Sequence, residues 1–238
     1  MGTVGRVVTI DGPAGVGKST AAQGLAVRLG WFYLNSGALY RAVAWNASRL
    51  GLDPAGPGDR LEAARDLAGR IRLERDDDGH TRILVGDAVP GEALQTEEIA
   101  EGASMVARDQ DVRDVLLPVQ RGAGRSGDVV AEGRDMGTVV FPDAEVKFFL
   151  DADVEIRAQR RFLEYESKGR AISREEILVD ITQRDERDRT RSASPLRPAG
   201  NAVTIDTTDL GAEEVVERML EHVASVIAGM GEECKEDR

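Results

Sequence analysis

The stretch Asp11–Thr20, DGPAGVGKST, decides the fold. It follows the β-branched run RVVTI, which predicts a buried strand over Arg6–Ile10. It leads into AAQGLAVRLG, whose apolar spacing predicts a helix over Lys18–Leu29. Between strand and helix the pattern G-x-x-x-x-G-K-[ST] is complete, with Gly12, Gly17, Lys18 and Ser19 at its fixed positions. The sequence therefore predicts a phosphate-binding loop.

Each residue type in this loop has a physical reason to be there. Gly12, Gly15 and Gly17 let the backbone curl so that its N–H groups point toward phosphate oxygens. Lys18 adds a positive charge for the β- and γ-phosphates, and Ser19 offers a hydroxyl to Mg²⁺. We therefore expect a nucleoside triphosphate to bind along Gly12, Pro13, Ala14, Gly15, Val16, Gly17, Lys18, Ser19 and Thr20.

Composition excludes several classes of partner. The 238 residues include 31 basic and 43 acidic side chains, for a net charge of −12. Nucleic acids and anionic membranes attract basic surfaces, so neither is expected as a partner. One cysteine permits no internal disulfide. Met1 is closely followed by the first predicted strand, with neither a leader pattern nor an apolar run of membrane-spanning length, so we expect a cytoplasmic protein.

Short apolar strands alternate with helical segments along the chain. This rhythm predicts an α/β fold, a doubly wound parallel sheet of five strands with ligands at the strands' carboxyl ends. The predicted strands are Arg6–Ile10, Phe32–Leu34, Val129–Ala131, Val146–Leu150 and Val203–Ile205. The predicted helices are Lys18–Leu29, Gly37–Leu50, Thr96–Ala107, Asp111–Gln120, Asp153–Ser167, Arg174–Arg191 and Ala212–Ala228.

Three segments depart from this alternation of strands and helices. Residues 51–59, GLDPAGPGD, are predicted to form a loop because of their glycine and proline content. Residues 71–91 alternate like two or three strands around the turn DDDG, which indicates a small antiparallel insertion. Residues 229–238 form a polar tail that we expect to be flexible.

The segment DVVAEGRD, residues 128–135, helps to distinguish between the classes of protein that carry a phosphate-binding loop. A GTPase is expected to carry an N-K-x-D motif, which the sequence lacks. A motor or transporter ATPase usually ends a strand in a carboxylate that positions water, and Glu132 partly imitates this. Arg134 and Asp135 follow at once, and such a pair suits a small polar ligand. The alternative is a surface ion pair with no ligand.

Four motifs together carry a family resemblance: DGPAGVGKST (11–20), NSGALYRAVA (35–44), EGRDMGTVVFPDA (132–144) and RDERDRTRSASPL (184–196). From about Val7 to Ala228 the chain resembles bacterial cytidylate kinase, a family within the nucleoside monophosphate kinases. GRDMGTVVFPDA is the most specific motif, because the related adenylate, guanylate and thymidylate kinases do not share it. Asn35 stands where the family often has Asp, and Ser19–Thr20 where Gly–Thr is also common.

The resemblance implies phosphoryl transfer from ATP to CMP or dCMP, with Mg²⁺, giving ADP and CDP or dCDP. It implies a monomer with one P-loop kinase domain over residues 1–238. Within that domain, residues 36–113 would form the monophosphate-binding region, including the insertion at about 71–91. Residues of about 157–191 would form a helical lid. Catalysis would depend on positioning and on charge neutralisation rather than on a general base.

The resemblance also implies roles for individual side chains. Toward CMP, the matching residues are Ser36, Arg41 and Arg134 for its phosphate, Asp135 for the exocyclic amine of cytosine, Ser104 and Arg113 for further contacts to the base, and Asp188 for the ribose hydroxyl. Toward the transferred phosphate, the matching residues are Lys18, Arg134, Arg184 and Arg191. Arg157 and Arg161 resemble lid arginines on the ATP side, and Ser19 the metal ligand.

Arginine is concentrated in one part of the chain. Between positions 157 and 197 the chain has ten arginines and only Lys168 as a lysine, which suits bidentate phosphate binding. The same span has eight carboxylates, so about half of the arginines are expected to form ordinary helix-surface pairs.

Two alternative functions remain open from the residues alone. The chain could be a kinase for another small molecule. It could also be a nucleotide-binding switch without enzymatic activity, which would need only the loop around Lys18.

Overall fold

The structure of the protein is a computed structural model. It describes residues 5–75, 81–125, 127–167 and 169–236, with side chains described as far as Met230.

The main sheet has five strands, in the order β2-β5-β1-β6-β7. Two of its neighbouring pairs, β1 with β6 and β6 with β7, run parallel with continuous register. A separate antiparallel pair, β3 with β4, follows the register Leu73 to Ile83. The predicted parallel sheet with a small antiparallel insertion is confirmed. The strands are β1 Val7–Asp11, β2 Phe32–Asn35, β3 Ile71–Arg75, β4 Thr81–Val85, β5 Val129–Gly133, β6 Val146–Asp151 and β7 Val203–Asp206.

Eight α-helices accompany these strands in the described residues. They are α1 Lys18–Leu29, α2 Ser36–Leu50, α3 Pro57–Arg70, α4 Glu97–Val106, α5 Gln110–Arg125, α6 Val154–Ser167, α7 Arg174–Thr190 and α8 Ala212–Glu236. A short 3-10 turn lies at Gly91–Gln95, and a π turn at Met136–Val140. None of the described helices combines the length and the apolar character that crossing a bilayer requires.

The chain divides into two compact units, the first comprising residues 1–6 and 30–131. In the first unit α2 packs against α3 and α4 around buried alanine, valine and leucine side chains. The approach of α2 and α4 is close, since a Cβ on Gly102 would lie 3.0 Å from the Cβ of Ala44. Asn35 caps α2, because its side-chain oxygen accepts from Ala38 N at 2.9 Å.

The second unit comprises residues 7–29 and 132–238 and contains the phosphate-binding loop. Its strand β1 is buried along its whole length, as a β-branched strand in a parallel sheet should be. Helix α1 packs against α8, and α6 against α7. The α6–α7 pair has its own small core of Ala158, Ile177 and Ile181.

One helix and two helix ends were predicted wrongly. Helix α3 was missed altogether: residues 51–59 were predicted as a loop and residues 60–70 were assigned to no element, but α3 spans Pro57–Arg70 directly after Gly56. Proline is favoured at the first helical position because its φ is already helical and its missing N–H would have no partner there. Helix α5 ends at Arg125 rather than at the predicted Gln120. The predicted end of the last helix at Ala228 was also wrong, since α8 extends to Glu236. The predicted DDDG turn lies outside the described residues.

We predict that Gly24→Ala destabilises the protein although alanine is the better helix former. A Cβ at position 24 of α1 would lie 2.9 Å from Val216 Cγ2 on α8. Val216 cannot easily turn away, because a β-branched side chain in a helix is restricted to one main χ1 rotamer. The overpacking cost of about 1–3 kcal/mol should exceed the propensity gain of about 1 kcal/mol. Urea unfolding measures the net change.

The control is Gly122→Ala in α5, where nothing in the described residues lies within 4 Å of the added Cβ, so stability should rise or stay level. Adding Val216→Ala to Gly24→Ala should cost less than the sum of the two single changes. A stabilising Gly24→Ala would contradict the close packing of α1 on α8.

Candidate active site

The phosphate-binding loop has the backbone that its glycines predict. Gly12, Gly15 and Gly17 have φ values of 154°, 76° and 93°, which L-residues rarely adopt. A Cβ on Gly12 would lie 2.2 Å from the carbonyl oxygen of Leu150, the neighbouring residue on β6. The loop therefore passes the sheet edge so closely that only glycine fits at its first position.

Lys18 lies at the start of α1 and is only 6% exposed. Its Nζ donates to the carbonyl of Pro13 at 2.6 Å, so the side chain folds back along the loop. Burial lowers the pKa of Lys18 well below its usual value, and the charges of Arg134 and Arg184 lower it further. Glu132 and Asp188 offset this effect only in part. An anion bound in the loop would stabilise the charged form of Lys18 and raise its pKa again.

Asp188 lies between two of the predicted phosphate ligands. Its Oδ2 accepts from Nε of Arg134 at 2.8 Å, and its Oδ1 lies 3.9 Å from a terminal nitrogen of Arg191. Burial alone would raise the pKa of Asp188, but the charges of Arg134, Arg191 and Arg184 bring it below its usual value. Asp188 is therefore ionised at neutral pH and orients these arginines.

Arg184 is the least compensated cation of this group. Among the described residues its guanidinium forms neither a hydrogen bond nor an ion pair. Burial and the nearby Arg134 lower its pKa to about 10, while Asp188 acts in the opposite direction. The guanidinium stays protonated at neutral pH, so Arg184 is a charged donor, and its predicted contact with phosphate stays a prediction.

Asp135 lies immediately after Arg134, and its residue is 2% exposed. The two side chains do not form the surface pair that was the alternative, because Arg134 instead contacts Asp188 and both residues are largely buried. The backbone carbonyl of Asp135 starts the π turn, accepting from Val139 N at 2.9 Å.

Arg157 is buried against the protein itself. It forms an ion pair with Asp185 at 2.6 Å, and the two side chains are 5% and 6% exposed. Together they bind both backbone polar groups of Ala14 in the loop: Asp185 accepts from Ala14 N at 3.3 Å and Arg157 donates to Ala14 O at 3.0 Å. The guanidinium thus joins α6 and α7 to the phosphate-binding loop, and its predicted contact with ATP stays a prediction.

Arg161 has a more exposed position on α6. Its guanidinium lies over the ring of Tyr165 at 4.8 Å and contacts Glu164 at 3.3 Å. Ser19 and Thr20 are exposed on the first turn of α1.

Four predicted substrate residues belong to the first unit. Ser36 is the first residue of α2 and is buried, while Arg41 lies one turn later and is half-buried. Ser104 lies half-buried on α4. Arg113, on α5, is 6% exposed, donates to Ala107 O at 3.0 Å and lies over the ring of Tyr40 at 5.4 Å.

The sequence analysis missed several residues that shape the loop. Asp185 was counted only among helix-surface carboxylates, and Asp11 was given no role. Thr207, after β7, donates to Val16 O at 3.4 Å and receives a hydrogen bond from Arg160 at 3.0 Å. A signal existed for Asp11 and Thr207, since both are polar residues at the carboxyl ends of apolar strands.

A glycine-rich loop between a strand and a helix of a doubly wound sheet, with a buried lysine and largely buried arginines beside it, defines the class of P-loop nucleotide-binding proteins. The family model for cytidylate kinase matches residues 8–225 of this chain. The chain belongs to the cytidylate kinase family.

Individual relatives agree with this assignment. The cytidylate kinase of Geobacter sulfurreducens is 44% identical over 218 residues, covering 92% of each chain. That of Pseudomonas syringae pv. tomato is 45% identical over 222 residues, covering 92% of this chain and 95% of the relative. That of Salmonella choleraesuis is 42% identical over 228 residues, covering 96% and 99%.

We predict that the Arg157–Asp185 pair is strongly coupled in stability. Arg157→Met or Asp185→Leu leaves one buried charge without its partner, and each should cost about 3–5 kcal/mol of unfolding free energy. The double variant should cost clearly less than the sum, because it buries no lone charge. Denaturant unfolding of the three variants measures the coupling.

The control is Arg218→Met, which breaks an exposed pair whose side chains are 53% and 51% exposed and should cost less than about 1 kcal/mol. Additive losses at positions 157 and 185, no larger than the control, would contradict the buried pair.

Proposed function

We propose that the protein transfers the γ-phosphoryl group of ATP to CMP or dCMP, giving ADP and CDP or dCDP. The observation that carries the proposal is the group of buried cations beside the loop, in a chain of the cytidylate kinase family. Lys18, Arg134, Arg184 and Arg191 provide more charge than a simple nucleotide switch needs. This excess of positive charge supports the binding of a second phosphate-bearing substrate.

On the donor side, the loop amides and Lys18 bind the β- and γ-phosphates of ATP. An oxygen of the CMP phosphate attacks the γ-phosphorus, and the bond from that phosphorus to the β–γ bridging oxygen breaks. The electron pair stays on the leaving ADP. Arg184 and Arg191 stabilise the charge on the transferred group, and no side chain has to remove a proton in a loose transition state.

On the acceptor side, Arg134 binds the phosphate of CMP and Asp135 accepts from the exocyclic amine of cytosine. Asp188, already ionised by its arginine partners, accepts from a ribose hydroxyl. The residues of the first unit with matching roles are Ser36, Arg41, Ser104 and Arg113. Arg157 and Arg161 are proposed on the ATP side of the lid, Arg157 acting through its hold on Ala14.

Magnesium fits the residues at the loop. Ser19 is exposed one residue after Lys18, and Mg²⁺ bound to a nucleotide needs few protein ligands because phosphate oxygens and waters supply the others. Bound there through the Ser19 hydroxyl, Mg²⁺ would supply charge neutralisation at the β- and γ-phosphates.

We also propose that the enzyme acts as a cytoplasmic monomer, with residues 36–113 closing on CMP and residues of about 157–191 forming the lid. The net charge of −12 and the single cysteine support small-molecule substrates in a reducing compartment.

The experiment that tests the proposal measures ADP formation from ATP in the presence of CMP, dCMP, UMP or AMP, and without any acceptor. The proposed enzyme forms ADP fastest with CMP or dCMP and only slowly alone. ADP formation that does not depend on CMP would indicate a switch or an ATPase. A preference for another acceptor would indicate a different small-molecule kinase.

We predict that Asp135→Ala lowers kcat/KM for CMP far more than for UMP. Cytosine offers an amine where uracil offers a carbonyl, and a good pairing of this kind discriminates by roughly 5- to 150-fold. Arg134→Ala should lower both values about equally, because every monophosphate presents the same phosphate. Asp143→Ala, an exposed carboxylate on the same segment, is the control and should change neither. Equal losses on CMP and UMP in Asp135→Ala would mean that Asp135 does not read the base.

A further inference from the structure

Asp11 ends β1 and directly precedes Gly12, the first glycine of the phosphate-binding loop. The residue is 3% exposed. Both of its carboxylate oxygens accept backbone hydrogen bonds from the same distant segment: Oδ1 from Met136 N at 2.9 Å and Oδ2 from Gly137 N at 2.8 Å. Its side chain is therefore shielded from solvent, and each carboxylate oxygen is hydrogen-bonded to a backbone amide.

Those two amides begin the π turn at Met136–Val140, directly after Arg134 and Asp135. The first N–H groups of any helical turn have no partner within the turn. A nearby side chain usually caps them, and a carboxylate is preferred there. Here the cap comes from 125 residues earlier in the chain. The position of the turn is consequently tied to the end of β1.

The approach of the turn to the sheet is close. A Cβ on Gly137 would lie 2.9 Å from Thr9 Oγ1 and 3.2 Å from Cδ of Lys147. The turn can therefore rest against β1 and β6 only with glycine at this position. This contact and the two hydrogen bonds to Asp11 fix the same short piece of backbone from two directions.

We propose that Asp11 is a positioning residue that holds Arg134 and Asp135 in register with the phosphate-binding loop. The inference rests on the proposed function, because it takes Asp135 as the residue that reads cytosine. Asp11 is not a catalytic residue: both oxygens are engaged by amides, and the side chain has no exposed face toward substrate. Through the turn, it sets the choice of base.

Asp11→Asn tests this with a change of almost no volume. An asparagine has one acceptor oxygen, so its NH₂ group must face the N–H of Met136 or Gly137, donor against donor. The turn should shift, the KM for CMP should rise, and the ratio of kcat/KM for CMP over UMP should fall by about tenfold or more. The KM for ATP should change much less.

The matched control is Glu145→Gln, at a residue that directly precedes β6 and contacts the first residue of β1. Glu145 accepts from Val7 N at 2.7 Å, so this carboxylate also binds a β1 amide, and glutamine can keep that bond. Asp11→Glu is the second variant, because it keeps the charge and both oxygens but displaces them by one methylene. It should also lower the CMP over UMP ratio, whereas Glu145→Gln should not.

The outcomes separate the claims. A wild-type protein that does not phosphorylate CMP removes the proposed function, and this inference with it. If the wild type prefers CMP, and both Asp11 variants lose melting temperature or total activity while keeping the wild-type CMP over UMP ratio, then Asp11 is merely structural and the proposal is overturned. A lowered ratio in either folded Asp11 variant, with the control unchanged, supports it.

Discussion

The arrangement of the second unit depends on the burial of positive charge beside the phosphate-binding loop. Lys18 lies at the start of α1 next to the loop, the charges of Arg134 and Arg184 act on it, and Arg191 acts on the neighbouring Asp188. Taking one such charge out of water costs several kcal/mol unless it is paired. Glu132 and Asp188 offset part of this, but burial and the neighbouring arginines still hold the pKa values of Lys18 and Arg184 below their usual range.

Such a site is stable only because the surrounding backbone is held from several sides. The buried ion pair of Arg157 and Asp185 binds the peptide of Ala14, and Thr207 binds the carbonyl of Val16. Burial raises the pKa of Asp11 to about 6, against the opposing effect of its two backbone hydrogen bonds. These contacts hold the backbone of the loop in place, which the preorganisation of charge for a transition state requires.

The elements of the sheet and the loop could be predicted from the sequence because each depends on local pattern. β1 is a run of β-branched residues, and the three glycines have positive φ values as expected. Helix α3 was missed altogether because Pro57 was counted as a loop residue rather than as a first helical residue, and the residues after it were assigned to no element. The end of α8 was missed because the glycines and charges after Ala228 resemble a terminal tail.

The partners of the charged residues could not be predicted in the same way. Helix spacing indicates that Arg157 and Asp185 lie on charged helices, but not that they face each other across α6 and α7. Likewise, nothing local connects Asp11 with amides that follow 125 residues later. Individual roles for Ser104 and Arg113 came from family resemblance alone, since a helix serine and a helix arginine carry no local signal.

The claim that the cations beside the loop bind phosphate is tested most directly with inorganic tripolyphosphate, an anion with neither base nor ribose. At about 100 times its Kd, it should raise the melting temperature of the wild type by roughly 5–10 °C, beyond the effect of sulfate at equal ionic strength. In Arg184→Met and Lys18→Met this rise should largely disappear. No rise in the wild type, or an equal rise in both variants, would mean that the buried cations are not a binding site for phosphate.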